Sequence, residues 1–353
     1  MTEGTAAGRL VDWDSAARIA KRVAGASPPL TPVQRAQLVE DFGEVVPQAQ
    51  RLVLEFTGLP PAPERARAWV MTRSEWIDQN LRGFRRLIEP LAERVPVRSN
   101  SLFSPVRRHA LALQLGLLMG YLSKKVLGQY DLFLPPEDQG LVYFVGPNVV
   151  TVERRFRFPE RDFRLWIALH EVAHQLQFGG VPWLRDHVSG LVDSYFDSIQ
   201  LDPKQLIEAL RRAVQEIRSG QSEWKGIGIL FLLMTPEQRK TFREMQAVMS
   251  LLEGHGNFVM DELAKDSVDE GARMRRTLKE RRASGGGIEK SFQRAIGFEA
   301  KVRQYDQGER FVAEVVESVG MDGFNRVWQE RSNLPTMEEV ARPERWVSRV
   351  GAS

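Results

Sequence analysis

The chain has 353 residues, of which 42% are hydrophobic, and this is enough apolar material for a packed core in one large domain or two. Because it contains no cysteine, disulfides, thiolate metal sites, cysteine nucleophiles and iron–sulfur clusters are all excluded. Its net charge of +3 is too small to favour nucleic acid as a partner.

Neither a signal peptide nor a membrane-spanning helix is predicted from the sequence. The first ten residues have no apolar core typical of a signal peptide. The most hydrophobic run, residues 110–122, is too short to span a bilayer and contains Gln114. We therefore expect a soluble cytoplasmic protein with no membrane partner.

The first part of the chain is predicted to be a helical N-terminal region, residues 1–130. Residues 9 to about 127 look almost wholly helical, in segments broken by prolines. Gly116 and Gly120 lie four apart in an apolar helix, which predicts close packing against another helix. Nothing in this region offers catalytic chemistry.

A β pattern follows. Leu141 to Val145 and Val149 to Phe156 are two β-rich runs around Gly146-Pro147-Asn148, which predicts a hairpin. A sheet edge beside a functional site can receive an extended peptide by strand addition. Alternatively, the two strands simply cover the helix that comes next, and the sequence leaves both interpretations open.

Residues 160–178 are predicted to form a helix with the sequence His-Glu-Val-Ala-His at 170–174. Residues four apart lie above one another on a helix, so His170 and His174 can direct ring nitrogens at one metal ion. Glu171 is rotated by about one hundred degrees, where it suits a general base better than a ligand. Only about 0.01 accidental matches are expected in a chain with 5 histidines, so a zinc site is favoured over two ordinary core histidines.

The rest of the chain is again predicted to be helical, which makes the fold mainly α (α+β) with a small sheet. We assign residues 131–266 to a metal-binding core and residues 267–353 to a helical C-terminal region that packs on it. The downstream helices are expected at Pro182–Ser198, at Pro203–Arg218, from Pro236 to about Lys265 with Thr235 as N-cap, and within Ile288–Val350 after a flexible joint at Ser284–Gly287.

A catalytic zinc normally keeps three protein ligands, so a third ligand is needed. A metzincin-type site is excluded because Gln177 and Gly180 stand where glycine and histidine would be required. Glycines on both sides of His255 weaken a helix and indicate close approach of another backbone. Glu253 and His255 point about two hundred degrees apart on a helix, so the two cannot both bind one zinc ion without a break, and Glu253 is our choice. His255 and His187 remain alternatives. Asn257 and Asp261 lie on the Glu253 face and could support a ligating histidine.

Three segments carry a family resemblance: residues 170–174, residues 253–261 (Glu-Gly-His-Gly-Asn-Phe-Val-Met-Asp) and residues 303–311 (Arg-Gln-Tyr-Asp-Gln-Gly-Glu-Arg-Phe). Together they resemble the gluzincin branch of the zincin metallopeptidases, and in particular a bacterial zincin-like family. Some members of that family are labelled as associated with deazaflavin cofactor biosynthesis. The resemblance implies that His170, His174 and Glu253 are zinc ligands and that Glu171 is the base.

The sequence therefore predicts a zinc-dependent metallopeptidase that hydrolyses a peptide or amide bond. Zinc would activate a water molecule, Glu171 would take its proton, and His255 or Tyr305 would stabilise the oxyanion. The substrate would be a peptide or a small amide. Two alternatives are a non-catalytic zincin fold used as a binding scaffold and a hydrolase of small-molecule amides. The oligomeric state is not indicated by the sequence.

Overall fold

A computed structural model describes residues 10–27, 29–94, 105–131, 138–197, 234–283 and 298–351. The fold is mainly α with a three-stranded sheet, which confirms the predicted class. The chain divides into two compact units: the first contains Met1–Ala49 and Glu64–Val172, and the second contains Gln50–Pro63 and Ala173–Ser353. The division into regions 1–130, 131–266 and 267–353 stays a prediction.

The first unit combines helices with the sheet. In the sheet, β1 (Arg67–Met71) pairs in parallel with β3 (Leu141–Val145), and β2 (Gly128–Tyr130) pairs antiparallel with the other side of β3, so the strand order is β1-β3-β2. The elements are α1 (Trp13–Ala24), most of α2 (Pro32–Thr57), β1 (Arg67–Met71), α3 (Arg73–Arg94), α4 (Pro105–Leu122), β2 (Gly128–Tyr130), β3 (Leu141–Val145), α5 (Gly146–Phe156) and the beginning of α6 (Glu160–Gly180).

The prediction of an almost wholly helical segment up to residue 127 is wrong at β1. This strand has only five residues and follows a proline-rich stretch, so it has too few positions to show an alternating pattern. It is held by β3, whose residues Leu141 to Val145 lie opposite Arg67 to Met71. A strand specified by a partner so far along the chain leaves little local signal.

The predicted hairpin is also wrong, because only its first run is a strand. Residues Gly146–Phe156 form α5, with Pro147 in the first turn, where a fixed φ suits a helix. Asn148 anchors this end, since its amide nitrogen donates to the carbonyls of Ser123 and Val126 at 2.8 and 2.7 Å. The β-branched valines that favoured a strand are buried on the helix instead.

Helices α1 and α4 pack closely, as Gly116 and Gly120 predicted. A Cβ added to Gly116 would lie 2.9 Å from the carbonyl oxygen of Ala16, and one added to Gly120 would lie 2.6 Å from that of Ala20. Side chains at these positions would force the helices apart. The glycines therefore serve helix packing within the first unit.

The second unit contains helices and short turns in the part that the structure describes. Its long helix α8 (Pro236–Ser267) begins at the predicted cap, where Thr235 and Gln238 form a reciprocal capping box. Helix α10 (Phe298–Phe324) is kinked at Gly320, whose φ of 74° favours glycine. The elements are the end of α2, the end of α6, α7 (Leu184–Asp197), α8 (Pro236–Ser267), α9 (Gly271–Ala283), α10 (Phe298–Phe324), 3₁₀ turns at Asn325–Trp328 and Arg331–Asn333, α11 (Met337–Ala341), α12 (Pro343–Trp346) and a π turn at Val347–Gly351.

Helix α6 is confirmed but ends at Gly180 rather than at Phe178. A Cβ on Gly180 would lie 2.2 Å from the carbonyl oxygen of Pro60, so the terminal glycines make room for another chain segment. The predicted helix Pro203–Arg218 and the joint Ser284–Gly287 lie outside the described residues. No helix in the described part of the chain is long and apolar enough to cross a membrane.

Candidate metal centre

The centre is built on the middle of α6, where the helix is apolar on most of its circumference. Leu169, Val172, Ala173 and Leu176 are all fully buried, so this turn is surrounded by packed side chains. The histidines at positions 170 and 174 are partly buried on the same helix. A buried, regular helix holds the two imidazoles at a fixed spacing.

One group of potential metal ligands is found among the described residues. It contains His170, His174 and Glu253, which offer ligand atoms that all lie within 4.8 Å of one another. Nε2 of His174 is 4.0 Å from Oε2 of Glu253. Two imidazoles and one carboxylate form a donor set typical of catalytic zinc, so these residues fit the metal.

The alternatives for the third ligand lie elsewhere in the second unit. His187 is on α7, where its ring meets the edge of Trp183 at 6.0 Å, and burial lowers its pKa, with a further contribution from Arg331. His255 is fully buried. Neither histidine belongs to the ligand group found in the described part of the chain, whereas Glu253 does.

Two glycines bring α10 against α8 beside Glu253. A Cβ on Gly254 would lie 2.2 Å from the carbonyl carbon of Gly308, and one on Gly308 would lie 1.9 Å from the carbonyl oxygen of Ser250. The expected close approach of another backbone is therefore confirmed for Gly254. This contact fixes the helical turn that carries Glu253.

Gln177 connects two histidines within the second unit. Its Oε1 lies 2.9 Å from Nδ1 of His174, and its Nε2 lies 2.8 Å from Nδ1 of His255. The same Nε2 donates to the carbonyl of Leu252 at 3.1 Å. From the sequence, Gln177 served only to exclude a metzincin, although a residue three positions after His174 on a helix lies close enough for the two side chains to meet.

His255 lies in an aromatic cluster. Its ring stacks on Phe324 at 5.4 Å and meets Trp328 edge-on at 5.4 Å. Burial, with a smaller contribution from His174, lowers the pKa of His255 to about 3, so the ring is neutral at neutral pH. Its Nε2 has no hydrogen-bond partner among the described residues. A fully enclosed ring is better suited to supporting His174 through Gln177 than to touching a substrate.

Glu171 is held by strand β2 in the first unit. The backbone N–H of Tyr130 donates to Oε2 of Glu171 at 3.0 Å, and the glutamate is 8% exposed. A Cβ on Gly128 would lie 2.6 Å from Cγ of Glu171, so only glycine leaves the carboxylate this position. Gly128 and Tyr130 were missed, because nothing in their local sequence links them to residue 171.

The remaining candidates are Tyr305 and Asp261. Tyr305 lies on α10, and its side chain is outside the described part, so its role as an oxyanion donor stays a prediction. Asp261 Oδ2 lies 2.7 Å from Nη1 of Arg275. Its predicted support of a ligating histidine, and that of Asn257, also stay predictions.

Comparison with known proteins assigns the chain to a family. A family model described as zincin-like metallopeptidase matches residues 11–347, and the chain belongs to this family. A crystal structure from Chloroflexus aurantiacus, described as a candidate hydrolase with a novel fold, is 29% identical, with a TM-score of 0.71 over 97% of this chain and 99% of that chain. A search of curated proteins found no match. The family and the neighbour indicate a hydrolase of the zincin kind, and the family implies a metal, usually zinc.

Proposed function

We propose that the protein is a zinc-dependent hydrolase that cleaves a peptide or amide bond, with His170, His174 and Glu253 as metal ligands and Glu171 as general base. The observation that carries the proposal is the convergence of two histidines and a glutamate from distant parts of the chain within 4.8 Å, next to a glutamate on the same helix. Family membership supports it.

When bound, zinc supplies a Lewis acid that polarises the substrate carbonyl and makes a water molecule more acidic. Glu171 accepts a proton from that water and passes it to the leaving amine, so the amide and water become an acid and an amine. The hydrogen bond from the Tyr130 N–H holds one carboxylate oxygen of Glu171 in place, so the position of the base is fixed by strand β2.

The sheet in the first unit supports an extended peptide as substrate. Strand β2 pairs with β3 on one side, and within the described residues its other side has no strand partner. This strand is the element that holds Glu171. An extended peptide added at this edge would run beside the general base.

The experiment is hydrolysis by the zinc-loaded protein. A mixture of peptides that samples all residue types and a set of small N-acyl amides are incubated with the protein, and new termini are identified by mass spectrometry. We expect cleavage of peptides, loss of cleavage after a zinc chelator is added, and recovery when zinc is restored.

Glu171→Gln is the matched variant, because it keeps the shape of the side chain and removes its ability to take a proton. The variant should fold and bind zinc as the unmodified protein does. Its rate of hydrolysis should fall by at least roughly a hundredfold, which is the scale of a lost general base. Cleavage that is unchanged in Glu171→Gln would refute the mechanism. A zinc-loaded protein that cleaves neither substrate set would instead support the binding scaffold.

A further inference from the structure

Gln177 is a fully buried side chain whose whole hydrogen-bonding capacity is directed at the turns that carry the candidate ligands. Its three neighbours are Nδ1 of His174 at 2.9 Å, the carbonyl of Leu252 at 3.1 Å and Nδ1 of His255 at 2.8 Å. A glutamine amide offers two N–H donors and one acceptor oxygen here, so every group of the amide is used.

The carbonyl of Leu252 determines which way the amide faces. A carbonyl oxygen can only accept, so the nitrogen of Gln177 must point to it. The reversed amide would place two acceptor oxygens against each other in a buried position, at the cost of an unsatisfied polar group. The usual ambiguity between amide oxygen and nitrogen is therefore removed at this residue.

The orientation of the amide then determines the tautomers of both histidines. Because Oε1 of Gln177 only accepts, Nδ1 of His174 must carry a proton, and in the neutral ring its Nε2 then has the lone pair. That Nε2 is the atom 4.0 Å from Glu253. Because the Gln177 nitrogen only donates, Nδ1 of His255 must accept, and the proton of His255 lies on Nε2.

We propose that Gln177 is a positioning residue that holds His174 in its Nδ1–H tautomer, with the Nε2 lone pair presented to the metal. The carbonyl of Leu252 fixes the orientation of the Gln177 amide, and His255 accepts its second N–H. This inference rests on the metal site of the proposed function. It gives buried His255 a role without substrate contact. In this arrangement the partner of His174 Nδ1 is the neutral amide of Gln177 and not a second carboxylate, while Nε2 of the same ring faces Glu253.

The first test reads the tautomers directly. Metal-free protein labelled with ¹⁵N-histidine is studied by long-range ¹H–¹⁵N NMR near pH 8, above the ordinary imidazole pKa of about 6.5. The chain has 5 histidines, and the signals are assigned by single substitution of each. We expect Nδ1–H for His174 and Nε2–H for His255. An Nε2–H tautomer at His174 would overturn the proposal.

The second test measures zinc affinity by competitive titration. Gln177→Met keeps the side-chain volume and removes all three hydrogen bonds, so zinc should bind about tenfold to a hundredfold more weakly, the usual effect of losing a partner behind a ligand. Gln175→Met is the matched control, because Gln175 is also buried on α6 but is not one of the partners of His174 Nδ1 described above. Its zinc affinity should stay within about threefold of the original, below the range for a lost partner.

Equal zinc affinity for Gln177→Met and the unmodified protein would contradict the proposal. If Gln177→Met fails to fold, the tautomers of the unmodified protein decide the question alone. Failure of this proposal can be distinguished from failure of the proposed function. A protein that binds no zinc would contradict the proposed function, whereas the histidine tautomers are measured in the metal-free protein and test Gln177 separately.

Discussion

Helix α6 carries two buried polar clusters of opposite design, one near its beginning in the first unit and one near its end in the second. Arg164 is 3% exposed and is surrounded by carboxylates: it donates to both oxygens of Glu153 at 2.9 and 3.0 Å, to Glu160 at 2.9 Å, and to Asp41. At the other end, Gln177 joins His174 to His255 through neutral groups.

The difference separates an anchor from a binding site. All three side-chain nitrogens of Arg164 donate to carboxylates of the protein, so this arginine is held in place by its own chain. The amide of Gln177 is also satisfied, but the polarity of its hydrogen bonds orients His174, whose Nε2 lies 4.0 Å from Glu253. A buried polar cluster that orients a potential metal ligand supports a binding site, whereas one that encloses a single charge supports the fold.

The largest expected effect is on stability and tests the anchor. Arg164→Met removes the cation and leaves Glu153, whose pKa is already raised by burial, without its partner. Loss of one member of a buried ion pair costs about 3–5 kcal/mol, which urea denaturation would measure. Zinc stoichiometry in the folded protein should be unchanged.

Arg161→Met is the control for this prediction, because Arg161 is also on α6 but forms an exposed pair with Glu44. It should have a much smaller effect on unfolding. If Arg164→Met unfolds no more easily than Arg161→Met, Arg164 is not an anchor, and the contrast between the two ends of α6 fails.

The next largest expected effect is on zinc affinity, and its measurement tests whether Glu253 or His255 is the third ligand. Glu253→Ala removes a metal bond, so zinc affinity should fall by more than the roughly tenfold to hundredfold that is typical when a supporting residue is removed. His255→Phe keeps the ring stacked on Phe324 and removes only the acceptor for Gln177, so its loss should stay within that lower range. Competitive zinc titration of the two variants decides, and a greater loss for His255→Phe would reverse the assignment.

The smallest effect concerns the position of the base. Gly128→Ala adds a methyl group 2.6 Å from Cγ of Glu171, so the carboxylate must move. We expect zinc affinity to stay the same and the rate of hydrolysis to fall by about tenfold or more, since a small displacement of a catalytic group is costly. Gly43→Ala is a control, because a Cβ there meets nothing within 4 Å. Equal rates for the two variants would show that β2 does not position Glu171.

The sequence predicted most reliably what depends on neighbours along the chain. The spacing of His170 and His174 and the Thr235 cap with Pro236 are local patterns, and both helices are present. The valines after Gly146 led to the wrong prediction of a second strand, because buried positions on α5 and buried positions in a strand can both be occupied by β-branched residues. The short strand β1 also lacked a local signal.

The supporting residues of the centre could not be predicted, because their roles depend on contacts between distant segments. Gly128 and Tyr130 meet Glu171 only through the fold. The orientation of Gln177 depends on a backbone carbonyl of Leu252, which no side-chain pattern reveals. Glu253 could be proposed because two glycines interrupt a polar helix turn, and Gly254 has the backbone contact that such an interruption predicts.

A crystal structure of the zinc-soaked protein, with the ion located by anomalous scattering at the zinc edge, tests the central claim most directly. The account predicts one ion about 2.0–2.2 Å from a nitrogen of His170, Nε2 of His174 and a carboxylate oxygen of Glu253. An ion bound through His187 or His255, or no ion at His170 and His174, would contradict it.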